Sequence, residues 1–203
     1  MKPTTKPMKR LSLYLFLILF TLPTPSQADD IRDFQVEGMS LHDSVLDHLT
    51  EEKLEALEKF VYENKKFIAI IVYSKDVFKK SFEIYDAVQL VYKLDSKKIH
   101  SLEGFILYRD NIEDCYPKKD KIVLELKNFF GNTIKVWNQD RVKYAGDKSG
   151  KSKFSATNLD FTEGGGARVI CYDFGKEIQK IHTWTDKLTV AINSKEFDKH
   201  ISE

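Results

Sequence analysis

The chain is poor in cysteine and evenly balanced in charge, with two Cys in 203 residues and 32 basic against 31 acidic side chains. Each scarcity excludes something. Redox exchange needs neighbouring thiols with a lowered pKa, as in C-x-x-C, and Cys115 and Cys171 stand far apart. Nucleic acids and anionic membranes call for a concentrated basic face, which this composition does not supply. No low-complexity tract occurs, and no N-x-S/T sequon, an absence that fits a bacterial source. Nothing along the chain forms a catalytic or cofactor signature, so no cofactor is expected.

What is present begins at residues 1–28. Lys2, Lys6, Lys9 and Arg10 precede a largely apolar run from Leu11 to Leu22, followed by Pro23, Pro25 and Ser26-Gln27-Ala28. That order is the pattern of a secretory signal peptide, with cleavage expected between Ala28 and Asp29. The apolar run is too short for a membrane-spanning helix, which needs about 20 residues, and no Cys follows the cut to carry a lipid. The expected product is exported, periplasmic or secreted, with no transmembrane segment after cleavage. Four basic residues and no acidic ones lie in 1–28, which leaves 28 basic and 31 acidic and a net charge of −3. An oxidising destination makes a Cys115–Cys171 disulfide the expected state of both thiols. Closing that loop would stabilise the fold by about 4 kcal/mol in the chain-entropy picture.

Hydrophobic spacing divides the rest into a first unit, 29–110, and a second, 111–203. Leu41, Val45, Leu46 and Leu49, then Leu54, Leu57, Phe60 and Val61, predict two short helices over 40–62, capped by Ser40 and Thr50. Strands are expected at 67–73, 82–92 and 99–108, joined as a meander. Helical spacing returns over 111–130, with Pro117 as an expected interruption, and further strands follow at 133–144, 154–161, 167–174 and 188–193. A last helix is expected at 194–201. The fold class is therefore α+β, helices packed on antiparallel sheets, with the second unit repeating the element order of the first.

Several groupings invite chemistry. Gly146-Asp-Lys-Ser-Gly150-Lys151-Ser152 has one residue too few between its glycines for a phosphate loop and precedes a strand, so a hairpin loop is expected. Gly164-Gly165-Gly166 fits a second hairpin turn. His42, Asp43 and Ser44 are neighbours in sequence, and neighbours on one helix cannot relay a proton in line. His42 and His48 are wrongly spaced for joint metal ligation, and His100, His182 and His200 have no nearby Cys or His, so no metal site is expected. Glu103, Asp86 and Asp173, all expected on strands, are the carboxylates to examine for hydrolysis. Trp137 and Arg141 in the run 136–141, and Trp184 in the polar run 180–187, are the candidate partner-binding residues. For both tryptophans, burial in the core is the commoner fate.

Four runs resemble a family of small exported bacterial proteins: Phe34-Gln-Val-Glu-Gly-Met-Ser-Leu-His-Asp-Ser44, Tyr85-Asp-Ala-Val-Gln-Leu-Val-Tyr92, Asn111-Ile-Glu-Asp-Cys-Tyr116 and Val169-Ile-Cys-Tyr-Asp173. Gly38-Met39-Ser40 leading toward Val45 is also similar to the opening of BamE-type outer-membrane assembly lipoproteins, whose helix-plus-meander unit occurs in tandem in the secreted β-lactamase inhibitor protein. The lipoprotein Cys and the Leu-Gly-x-Pro after the first helix are missing. The resemblance implies an α+β binding unit. A non-catalytic interaction module of the cell envelope, with an envelope protein as partner, is the leading expectation. A small exported hydrolase or a carrier of an apolar ligand are the alternatives.

Overall fold

The computed structural model describes residues 34–63, 65–77 and 81–203; the signal-peptide reading of 1–28 lies outside the described residues. The chain is α+β. In order it forms β1 (Gln35–Val36), β2 (Met39–Ser40), a 3-10 turn (Val45–Asp47), α1 (Glu51–Ala56), β3 (Phe60–Val61), β4 (Phe67–Val72), β5 (Ala87–Lys93) and β6 (Ile99–Leu107). A 3-10 turn (Ile112–Asp114) leads into α2 (Cys115–Phe130), β7 (Ile134–Lys143), β8 (Lys153–Phe161), β9 (Gly166–Asp173), α3 (Lys176–His182), β10 (Lys187–Asn193) and α4 (Lys195–Ser202). The β1–β2 hairpin stands apart from one eight-stranded sheet of order β3-β4-β5-β6-β10-β9-β8-β7. Two meanders meet at its centre, where β6 and β10 pair antiparallel from Lys187↔Leu107 to Asn193↔Ser101.

Strand alternation sends one set of side chains to a covered face. Ile68, Ile70, Val88, Leu90, Leu102, Val190, Ile192, Val169, Cys171 and Leu159 lie there, in one core that spans both halves. Val36, Met39, Leu41, Val45, Leu49 and Leu54 cover it from the N-terminal segment. Over the second meander α2 lays down Cys115, Val123, Leu126 and Phe130. The Cys115–Cys171 disulfide ties the first turn of α2 to β9, with Cα atoms 6.0 Å apart. The first turn of the segment is separate, the 3-10 turn at Ile112–Asp114, but Pro117 does not interrupt α2: it sits in the helix's first turn, where the backbone N–H has no intrahelical partner to lose.

The largest departure from the sequence reading falls at 40–62. Ser40 is a strand residue, and its N–H is taken by the Asp43 carboxylate at 2.9 Å. His42, at φ 70°, leaves the helical region and donates its N–H to Ile99 O. The apolar spacing is real, but the backbone groups find partners across the β5–β6 turn instead of along a helix. Helix α1 ends at Ala56, and Phe60 and Val61 form an exposed edge strand, so the first meander has four strands. The expected strand 82–92 starts only at Ala87. Glu37 is the cause: its carboxylate accepts the N–H groups of Glu83, Ile84 and Tyr85 at 2.7 to 2.9 Å, and Ile84 is left exposed. Helix α3 and the cap at Ser194, which accepts the Phe197 N–H, complete the second half.

Helix α4 crosses the other face at one corner. Phe197 packs there with Phe67, Ala69 and Val91. His100 is buried beneath it, its Nδ1 2.9 Å from Ser194 Oγ and its ring edge-on to Phe67 and His42. Burial holds the imidazole below its ordinary pKa; the Glu196 carboxylate opposes this, and His42, Lys93 and Lys66 reinforce it.

Replacing both cysteines with serine should lower unfolding stability by about 2 to 4 kcal/mol, read by denaturant titration. For His100, the unfolded chain binds a proton near pH 6.5, whereas the folded chain binds it only at lower pH. Stability is complete above that unfolded value and is lost as pH falls toward the folded one. The melting temperature should therefore drop between pH 7.5 and 5.5, and His100→Gln should reduce that drop; an unchanged drop in the variant would remove His100 as the cause.

Candidate binding face

Opposite the covered face, one row of side chains runs across the sheet through successive cross-strand partners: Ile71, Gln89, Glu103, Ala191, Arg168, Asn158 and Trp137. The neighbouring row carries Ala87, Phe105, Thr189, Ile170, Ala156 and Gln139. Helix α4 reaches only the corner near Phe67, and α3 lies in the β9–β10 connection at the opposite end. Polar and charged residues therefore occupy the middle of four adjacent strands, on a face from which water is partly excluded.

Burial pushes the Glu103 carboxyl above its usual range, against the pull of Lys187, the Thr189 hydroxyl and Arg168. Burial likewise lowers Lys187, and Glu103 opposes it. The Lys187 ammonium lies 4.4 Å from the centre of the Phe105 ring and 5.6 Å from that of Tyr172, a cation over aromatic faces. Thr189 Oγ1, although beside Glu103, makes no hydrogen bond of full geometry. Asn158 is 6% exposed and its Nδ2 has no partner. An unmet buried donor of this kind costs roughly 1 to 3 kcal/mol.

Beside Asn158 a cleft of about 350 Å3 opens between Trp137, Tyr144, Phe154, Arg168 and Tyr172. Trp137, from the edge strand β7, is 47% exposed and donates its indole N–H to Asp160 at 2.9 Å. Trp184 follows the α3 cap at Thr183 and is 40% exposed, with its ring on His182 and Phe174. Both tryptophans are thus exposed, and the core fate weighed for them does not hold. Tyr144 joins them, lining the cleft with Trp137 and standing 6.2 Å from Trp184.

Arg141 does not belong to this group. A bulge between Gln139 and Val142 turns it away at φ 47°. Its guanidinium lies over Tyr116 at 4.7 Å and bonds both Glu113 carboxylate oxygens at 2.9 and 3.2 Å. It lines a different cleft, of about 760 Å3, between α2 and the β7–β8 edge.

The carboxylates considered for hydrolysis do not converge. Glu103 occupies the open face, and the Asp86 carboxylate is engaged by the Leu107 N–H at 2.8 Å. Asp173 follows Cys171 in the covered-face alternation of β9, where burial and Asp186 push it up. His42, Asp43 and Ser44 are likewise structural: Asp43 bonds His48 at 3.2 Å and the Ser44 side chain caps the first 3-10 turn. The 146–152 segment is the β7–β8 hairpin loop. Hydrogen bonds from Ser152 and Ser149 hold the Asp147 carboxyl far below its usual range and engage loop donors that a phosphate would need.

Sequence reasoning identified Trp137 and Trp184 but missed Asn158, Arg168, Thr189 and Lys187. For Arg168, Thr189 and Lys187 the signal was parity, since each alternates with apolar residues along its strand; Asn158 had none, because its strand alternates with Lys153, Ser155 and Thr157. Because Asn158 carries an unmet donor, Asn158→Leu should raise unfolding stability by about 1 kcal/mol. Denaturant titration checks this, and a loss of stability would mean that the amide is satisfied in solution.

No family model, curated protein or solved structure matches this chain.

Proposed function

We propose that this protein is an exported, non-catalytic binding module of the cell envelope and that the open sheet face is its binding surface. The observation that carries the reading is the unpartnered Asn158 amide, nearly buried in a cleft whose rim is the half-exposed Trp137. Folding alone does not favour the buried amide, since a stray donor without an acceptor costs free energy. The pattern at residues 1–28 and the disulfide support an exported, oxidising setting. The separation of Glu103, Asp86 and Asp173 takes support from the hydrolase alternative. The carrier alternative needs an enclosed apolar cavity, and the clefts at Trp137 and Phe60 each mix charged side chains with aromatic ones.

Site-specific photo-crosslinking in the envelope tests this. A photoreactive residue at Gln139 or Gln89, on the open face, should capture a partner. The same residue at Lys121 or Glu125, on the exposed side of α2, should not. Equal capture from both surfaces, or capture from α2 alone, would falsify the assignment of the surface.

A further inference from the structure

We propose that the cleft beside Trp137 binds a carboxylate carried next to a planar apolar ring, an assignment that rests on the open face being the binding surface. The cleft wall contains one cation, Arg168, and no acidic residue. Arg168 forms no salt bridge among the described residues. Its direct cross-strand partner is Asn158, whose Nδ2 has no acceptor. Side chains paired in this way start about 5 Å apart on one face. Two donors, one charged and one neutral, thus stand side by side, and among the described residues the amide has no acceptor and the guanidinium no salt bridge.

A carboxylate supplies what they lack, since its two oxygens can accept from a guanidinium and a second donor together. One cation beside a neutral amide matches a single negative charge better than a doubly charged phosphate. The rest of the ligand is set by the walls. Trp137 has already committed its indole N–H to Asp160, so it presents a ring face. Tyr144, Phe154 and Tyr172 complete an aromatic enclosure suited to an offset or edge-on ring. A volume near 350 Å3 lies at the small end of ligand sites, so the occupant is one residue-sized group. Either a free aromatic acid or the terminal aromatic residue of a protein chain has that chemistry.

The test is a nuclear magnetic resonance titration of the disulfide-intact protein, following the Trp137 indole N–H. The probes are N-acetyl-phenylalanine, its neutral amide and phenylacetate. N-acetyl-phenylalanine should shift the signal saturably and bind about tenfold or more tightly than the amide, as expected for a charge-assisted pair. Arg168→Gln should bring the acid down to the level of the amide. Tighter binding of N-acetyl-phenylalanine than of phenylacetate assigns a chain terminus as the source, and equal binding assigns a small acid; either supports the carboxylate. Equal binding of acid and amide, or no movement of Trp137 with any probe, overturns it. If Arg168→Gln does not fold, the comparison of acid with amide on the wild-type protein still decides. Loss of this discrimination with open-face crosslinking intact removes the carboxylate alone, whereas loss of both removes the surface.

Discussion

The antiparallel pairing of β6 with β10 is the contact on which the rest of the architecture depends. Without it the chain would hold two separate meanders, each with a long unpaired edge at its last strand. With it, the last strand of each half becomes the centre of one sheet, and Leu102, Val190 and Ile192 enter a shared core. The N-terminal segment and α2 then cover the same face, side by side. The Cys115–Cys171 bond acts on this arrangement locally: it fixes where α2 begins over β9, and so which face of the second meander is closed.

Closing one face leaves the other to a different set of residues, and their chemistry is not that of a spare core. A sheet face that served only to meet water would place Lys, Glu and Thr there with their polar ends free. Here Glu103 and Lys187 are both shifted toward their neutral forms by burial, each partly restored by the other. Such mutual compensation keeps a pair of ionisable groups tolerable without making them stabilising. The Lys187 stem and ammonium shelter against Phe105 and Tyr172, which accounts for polar side chains that are hidden although no helix crosses them.

The sequence made most of the sheet legible because its signals are local. Alternation and β-branched runs located β4, β6, β8, β9 and β10, and the glycines at 164–166 marked the β8–β9 turn. Segments decided by distant partners were not legible. Nothing near Ile84 announces that the Glu37 carboxylate will take three successive N–H groups from that stretch. Nothing near Leu41 announces that residues 42–45 will bond to the β5–β6 turn rather than to one another. The candidate site divides in the same way. Trp137 stood out by residue type, while Arg141, its neighbour by four positions, was read with it and belongs to another surface because a bulge intervenes. The pairing of Asn158 with Arg168 was not legible, because a single sequence does not display partners across two strands.

The location of the unmet groups is the strongest argument that the open face has a role. Among the described residues, the buried side-chain atoms without partners are Asn158 Nδ2 and Thr189 Oγ1, and both lie on this face, none on the covered one. Elsewhere the chain satisfies its polar atoms with some economy: Asp147 gathers the donors of its own loop, Asp186 holds Phe174 and Gln179, and Glu37 holds residues 83–85. Replacing an unsatisfied buried polar group by an apolar one of similar shape is neutral or favourable for folding, and the Asn158 amide is such a group. Retaining the Asn158 amide on this face opposes stability. An outside acceptor at Asn158 would relieve that opposition, and the aromatic rim from Trp137 to Tyr144 borders the position.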